Sequence, residues 1–265
     1  MQRIPSDQFI SIAEYGGLKV ASCLQATSRL YQNVISRNIV IDMAIVQMQG
    51  PGNCFASHHA AAVGNVDVAD QFLQRKADPN RVAWNTLGEA ITPLYMAVKR
   101  CHTEVVRRLL TARADPDGIV IYTRSGNRSA SESPLHFAAA CGNESIISFL
   151  LAANADPAPS GRDLAPPLID ATVYGHKEVV QKLLEANAGV DDTGGERCSF
   201  KTALHWSAQE GHEQIATNFL QARADPHAFA EDEEDGIPWQ IAEKAGHQRL
   251  SAALLQAALA ADGEF

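Results

Sequence analysis

The chain has 265 residues, 46% hydrophobic, 20% charged and 6% aromatic, enough apolar side chain to bury a core without disulfides or a structural metal, which excludes global disorder and a stapled mini-scaffold. Its 22 Lys and Arg against 31 Asp and Glu give a net charge of −9, and five of the negatives form one run, Glu231-Asp232-Glu233-Glu234-Asp235. Nucleic acid is therefore not an expected partner, since that requires clustered Lys and Arg.

The five cysteines, Cys23, Cys54, Cys101, Cys141 and Cys198, are odd in number and contain no C-x-x-C pair, so they read as thiols of a reducing compartment. Asp7 stands where a secretory signal would begin its apolar run. The most apolar stretch, Ile39 to Val46, is eight residues interrupted by Asp42, far short of the ~20 that span a bilayer. The expected setting is cytoplasmic or nuclear, with no membrane partner.

Residues 1–48 carry a helical apolar pattern: Ile4-Pro5, Phe9, Ile12-Ala13, Leu18, Ala21, Leu24, Leu30-Tyr31 and Val34-Ile35, with a break at Gly16-Gly17. This predicts three helices. The segment resembles an F-box on Ile4-Pro5, Phe9, Ile12, Tyr15, Leu18, Leu24 and Ser28-Arg29-Leu30-Tyr31. That resemblance implies docking on the Skp-type adaptor of a cullin-RING ubiquitin ligase, with Ile4, Pro5, Phe9, Leu18, Leu24 and Leu30 as the adaptor-binding residues. The alternative is an N-terminal cap for the rest of the chain, because Ile12-Ala13-Glu14-Tyr15-Gly16-Gly17 echoes Ile241-Ala242-Glu243-Lys244-Ala245-Gly246. Gln49-Gly50-Pro51-Gly52-Asn53 is the junction.

From residue 54 to 258 one pattern occurs six times, clearest in Ser133-Pro134-Leu135-His136 and Thr202-Ala203-Leu204-His205. Anchored on the histidine, it gives His58, Tyr95, His136, Ile169, His205 and Gln240, spaced 37, 41, 33, 36 and 35 apart. Ten, fourteen and fifteen residues past each anchor the chain is apolar, as in Val105/Leu109/Leu110 and Ile146/Leu150/Leu151, which makes one stripe on a short helix. Thr92-Pro93 and Ser133-Pro134 have the hydroxyl N-cap and first-turn proline of a helix start. Gly64, Gly142, Gly175, Gly211 and Gly246 fall where that first helix must turn. Each unit is predicted as helix, turn, helix and a loop opened by Ala-Asp-Pro, and such pairs must stack to bury both apolar faces.

The pattern resembles an ankyrin-repeat array, with repeats at about 54–80, 91–117, 132–158, 165–191, 201–227 and 236–258. The fold class this implies is all-α: an ankyrin-repeat solenoid of helix-turn-helix repeats joined by loops or short hairpins, behind an N-terminal helical F-box-like module. Cys101 replaces a turn glycine and Ile169 an anchor histidine, so repeats two and four should be softer. A side chain at positive φ costs about 1 kcal/mol. Lys76, Arg113, Asn154, Asn187 and Arg223 stand where the family has a second glycine.

No catalytic constellation, metal site or cofactor motif is expected. Eight of the nine histidines fall on or beside repeat positions, which implies structural hydrogen bonding, and His227 is unassigned. Asp115, Asp156 and Asp225 each precede proline and read as loop builders. The expected function is non-enzymatic protein binding by a monomer, with a client protein on the concave face. The first-helix residues just before the turn supply Lys99, Arg100, Val173, Tyr174, Gln209 and Glu210, joined by Lys201. Two insertions add Trp84 and Leu87, and Tyr122 and Arg124, residue types that include those enriched at interface hot spots. The run Ile119–Arg124 is β-prone and reads either as a projecting hairpin or as a flap over neighbouring repeats.

Overall fold

The computed structural model describes residues 55–84, 90–118, 133–158, 165–194, 200–230 and 236–262. The F-box-like residues, Leu87, Tyr122 and Arg124 lie outside these, and of Trp84 only the backbone is described. The chain divides into two compact units, Met1–Ser129 and Ala130–Phe265.

In the first unit the helices are α1 (Phe55–Val63), α2 (Val66–Gln74), α3 (Pro93–Lys99) and α4 (Thr103–Thr111). Between α2 and α3 runs a short antiparallel ribbon, β1 (Ala83–Trp84) with β2 (Ala90–Ile91), in the register Ala83 to Ile91 and Trp84 to Ala90. The first insertion is thus a hairpin stem. Helix α1 packs on α3, and α2 on α4. The start of α3 is as the sequence predicts: Thr92 Oγ1 accepts the Tyr95 N–H at 3.2 Å and Pro93 occupies the first turn.

The second unit holds α5 (Pro134–Ala140), α6 (Glu144–Ala152), α7 (Pro167–Val173), α8 (Lys177–Glu185), α9 (Ala203–Glu210), α10 (Glu213–Gln221), α11 (Pro238–Lys244) and α12 (Gln248–Asp262). Helices α5, α7, α9 and α11 form one layer in chain order, and α6, α8 and α10 lie side by side in a second. Helix α12 runs past the expected end of the array, to Asp262.

The apolar stripe is buried where the period requires it, with one shift of face. Positions +10 and +14 from the anchor are core: Val105 and Leu109, Ile146 and Leu150, Val179 and Leu183, Ile215 and Phe219, Leu250 and Leu254. Position +11 is core as well (Val106, Ile147, Val180, Ala216), whereas +15 is only half-buried (Leu110, Leu151, Leu184, Leu220). A second helix in a stack touches both its own first helix and the next second helix, so its buried arc is wider than one stripe. Full burial of a side chain such as Leu150 stabilises by about 1.5–3 kcal/mol.

The second helices α2, α4, α6, α8 and α10 stop the same way. Arg113 N–H donates to Leu110 O and Ala114 N–H to Leu109 O, both at 2.9 Å, the paired bonds of a Schellman end. The first residue of each such pair needs a left-handed backbone, and Lys76, Arg113, Asn154, Asn187 and Arg223 all adopt it, with φ from 59 to 66°. Cys101 ends α3 with φ 57°, confirming the strained turn read in repeat two. The aspartates then start the loops: Asp115 Oδ1 accepts the Asp117 N–H at 3.1 Å and Asp225 Oδ1 the His227 N–H at 2.8 Å.

Candidate protein-binding face

The histidines that might have suggested chemistry are tied to backbone. In α5, His136 Nδ1 accepts from the Ser133 N–H at 3.0 Å and its hydroxyl at 2.8 Å, while Nε2 donates to Ala165 O of the next repeat at 3.1 Å. Nδ1 is the acceptor and Nε2 the donor, so the ring is neutral in one tautomer; burial holds its pKa down at about 4. His205 repeats the arrangement with Thr202 and Gly236 O. Ile169 has no such reach: Pro166 caps α7 without a side-chain bond.

After the turns, His102, His176 and His247 bond Ala62 O, Ala140 O and Gln209 O at 2.9, 3.0 and 3.1 Å. His212 lies in the corresponding place, but among the described residues its buried Nε2 has no hydrogen-bond partner. His227, which the repeat left unassigned, reaches Ala258 O near the end of α12 at 3.2 Å and the Asp262 carboxylate at 3.3 Å. Among the described residues no group of three His, Cys, Asp or Glu is placed to hold a metal ion, and no helix is long and apolar enough to cross a membrane.

What remains for recognition is the open side of the first-helix layer. In the first unit Lys99 and Arg100 are exposed at the end of α3, and the Lys99 ammonium lies 5.4 Å from the centre of the Tyr95 ring. In the second unit Cys141 is exposed at the end of α5 and Val173 is half-buried at the end of α7. Tyr174, the C-cap of α7, is 63% exposed and stacks on His176 with ring centres 6.3 Å apart. On α9 Gln209 is half-buried and Glu210 exposed.

Lys201 differs from its expected surface role. It is 7% exposed, its ammonium donates to Gln209 Oε1 at 2.9 Å, and it lies 5.1 Å from the centre of the Trp206 ring. It therefore braces α9 from within. Trp206, one residue after its anchor, and Trp239, one residue before its anchor, are both half-buried. The sequence also holds a charge division between the units: Met1–Ser129 carries 14 Lys and Arg against 10 Asp and Glu, net +4, and Ala130–Phe265 carries 8 against 21, net −13.

Comparisons with known proteins agree with this architecture. The family description "Ankyrin repeats (3 copies)" matches residues 57–160 and 119–194, and "Ankyrin repeat" matches 200–230. The chain is similar to the E3 ubiquitin-protein ligase XBAT33 of Arabidopsis thaliana, 42% identical over 80 residues, which is 30% of this chain and 15% of that protein. It is 34% identical over 168 residues to the Nuclear factor NF-kappa-B p105 subunit of Gallus gallus, 62% of this chain and 16% of that one. The chain thus spans about one sixth of the length of these curated relatives. The human ASB11 ankyrin repeat domain superposes with a TM-score of 0.61 over 79% of this chain and 84% of its own, at 19% identity, a likeness of fold. Ankyrin repeats serve protein–protein interaction, and with helix pairs, turns and interlocking histidines all in register, the chain belongs to the ankyrin-repeat family.

Proposed function

We propose that this chain is a non-catalytic recognition protein of the cytoplasm or nucleus, acting as a monomer, in which the repeats hold a client protein and residues 1–48 link that client to a cullin-RING ubiquitin ligase through a Skp-type adaptor. The observation that carries the client-binding half is Tyr174, a large aromatic left 63% exposed at the end of α7, in a layer whose Leu135, Leu168 and Leu204 are turned inward. Lys99 and Arg100 in the first unit favour an acidic stretch of client, and such charge pairing sets orientation and on-rate more than affinity. Trp84, Leu87, Tyr122 and Arg124 complete the proposed contacts.

The ligase half is supported by the F-box-like pattern at Ile4-Pro5, Phe9, Leu18, Leu24 and Leu30, and by repeats similar to those of two plant proteins named as E3 ubiquitin-protein ligase and probable E3 ubiquitin-protein ligase, XBAT33 and XBOS32 of Oryza sativa subsp. japonica. A second reading, a stand-alone scaffold or inhibitor, is favoured by the echo of Ile12–Gly17 in Ile241–Gly246, which suits a capping segment.

Two measurements separate these. Purified Skp-type adaptor should bind the full chain and lose it on Leu24→Asp; no binding, or binding indifferent to that change, rejects the ligase half and leaves the scaffold. Client captured in cells by proximity labelling should be lost on Tyr174→Ala at unchanged melting temperature. Equal loss of capture and stability would mean that Tyr174 is part of the core and would end the client-binding half.

A further inference from the structure

We propose that the junction between repeats four and five is a seam at which the second unit opens, so that residues 134–185 and 203–262 behave as two blocks of separate stability. The seam does not depend on the client-binding reading, although it runs between residues named there: Tyr174 ends α7 on one side, and Gln209 and Glu210 end α9 on the other.

Two histidine locks recur between repeats. An anchor histidine near the start of a first helix donates forward to the backbone that opens the next repeat, and a histidine after the turn donates back to the carbonyl two residues before the preceding turn glycine. Between repeats one and two these are His58 to Ile91 O at 2.8 Å and His102 to Ala62 O at 2.9 Å. Between three and four they are His136 to Ala165 O at 3.1 Å and His176 to Ala140 O at 3.0 Å. Between five and six they are His205 to Gly236 O at 2.9 Å and His247 to Gln209 O at 3.1 Å.

Between four and five neither lock is made. Ile169 has no donor, and Pro166 at the cap has neither the hydroxyl nor the N–H that Ser133 and Thr202 offer the anchor ring. The buried Nε2 of His212 has no hydrogen-bond partner among the described residues. Its ring also stands farther off: a Cβ added to Gly175 would lie 3.0 Å from it, against 2.5 Å for the corresponding contacts at Gly64 and Gly211. A buried polar atom left unpaired carries a desolvation cost besides the lost bond.

The closed junction is held by the packing of α7 on α9 and α8 on α10, and at the loop end by the Asp225 N–H donating to Asp191 Oδ1 at 3.0 Å and the bridge of Thr193 with Thr202. The blocks on either side are tied further. Lys182 Nζ donates to Ser148 Oγ at 3.0 Å across repeats three and four, and His227 Nε2 to Ala258 O at 3.2 Å across five and six. In a stacked array each repeat leans only on its neighbours, so the array parts where an interface is weakest.

The test is native-state hydrogen exchange on the full chain, read by mass spectrometry at rising but sub-denaturing denaturant. Amides of α5 to α8 should share one opening equilibrium and those of α9 to α12 another, differing by at least about tenfold, the size that two ordinary hydrogen bonds supply. Pro166→Thr with Ile169→His rebuilds the anchor lock and should narrow that gap about fivefold. A single opening class across the unit, or a boundary at another junction, overturns the proposal. So does an unchanged gap in the double variant, which would assign the boundary to packing and not to the missing locks. Should the double variant fail to fold by its melting curve, the reverse change decides. His176→Phe keeps a ring over Gly142 and removes the bond to Ala140 O, and it should separate α5 and α6 from α7 and α8 as a third class; no separation there rejects the locks as the cause.

Discussion

His176 lies so close over Gly142 that a Cβ on the glycine would overlap the imidazole, while its Nε2 donates to Ala140 O at 3.0 Å. The turn of one repeat is thus the seat for a side chain of the next. Gly142 also holds φ 66°, so two separate constraints fall on one residue.

Gly142→Ala should therefore cost more than the ~1 kcal/mol of a left-handed alanine. We expect at least about 2 kcal/mol by denaturant unfolding, with part of that loss recovered when His176→Ala is added, because the ring no longer collides. Gly246, at φ 86° with nothing among the described residues within 4 Å of an added Cβ, is the control: Gly246→Ala should show the backbone cost alone. Additive losses at Gly142 and His176 would disprove the coupling.

Cys101 makes the reverse case. It takes φ 57° at the end of α3 with a side chain that glycine would lack. Cys101→Gly should raise stability by about 1 kcal/mol, seen as a higher denaturation midpoint. A lower midpoint would mean that the thiol contributes packing that outweighs the strain.

How much of this was visible beforehand depends on the kind of contact. The anchors, the turns and the core positions +10 and +14 repeat within each unit, so one chain displays them six times. The Gly142–His176 seat joins two repeats and has no signal within either, although each residue was placed correctly. The inward turn of Lys201 was missed for a similar reason: a lysine before a helix start looks exposed until Gln209 and Trp206 are seen to receive it. His227 meets Ala258 O at the expected end of the sixth repeat, and gains the Asp262 carboxylate because α12 continues beyond it.

Lys201 permits a direct separation of structural from binding roles. Lys201→Met keeps a stem of similar length and removes both the bond to Gln209 and the charge over Trp206. Stability should fall by about 1 kcal/mol, with a change in tryptophan fluorescence, while client affinity of the folded protein stays the same. Loss of client binding at full stability would return Lys201 to the recognition face.

Acid should act through His136. Its Nδ1 accepts two bonds from Ser133 and has no room for a proton without losing them, and burial keeps its pKa at about 4 against 6.5 for a free imidazole. A lowered folded pKa means that the unfolded chain binds the proton first. The contribution of this group is complete above pH 6.5 and is lost progressively as pH falls to about 4, on the order of 3 kcal/mol in all. His59, whose pKa burial also lowers, acts with the same sign. Denaturation midpoints measured from pH 7.5 to 4.5 should decline steadily below 6.5, and the His136 ring resonances should not titrate until near pH 4. Titration of that ring near 6.5 in the folded protein would show that the Ser133 cap is open to water, and the acid sensitivity of the fold would then have to arise elsewhere.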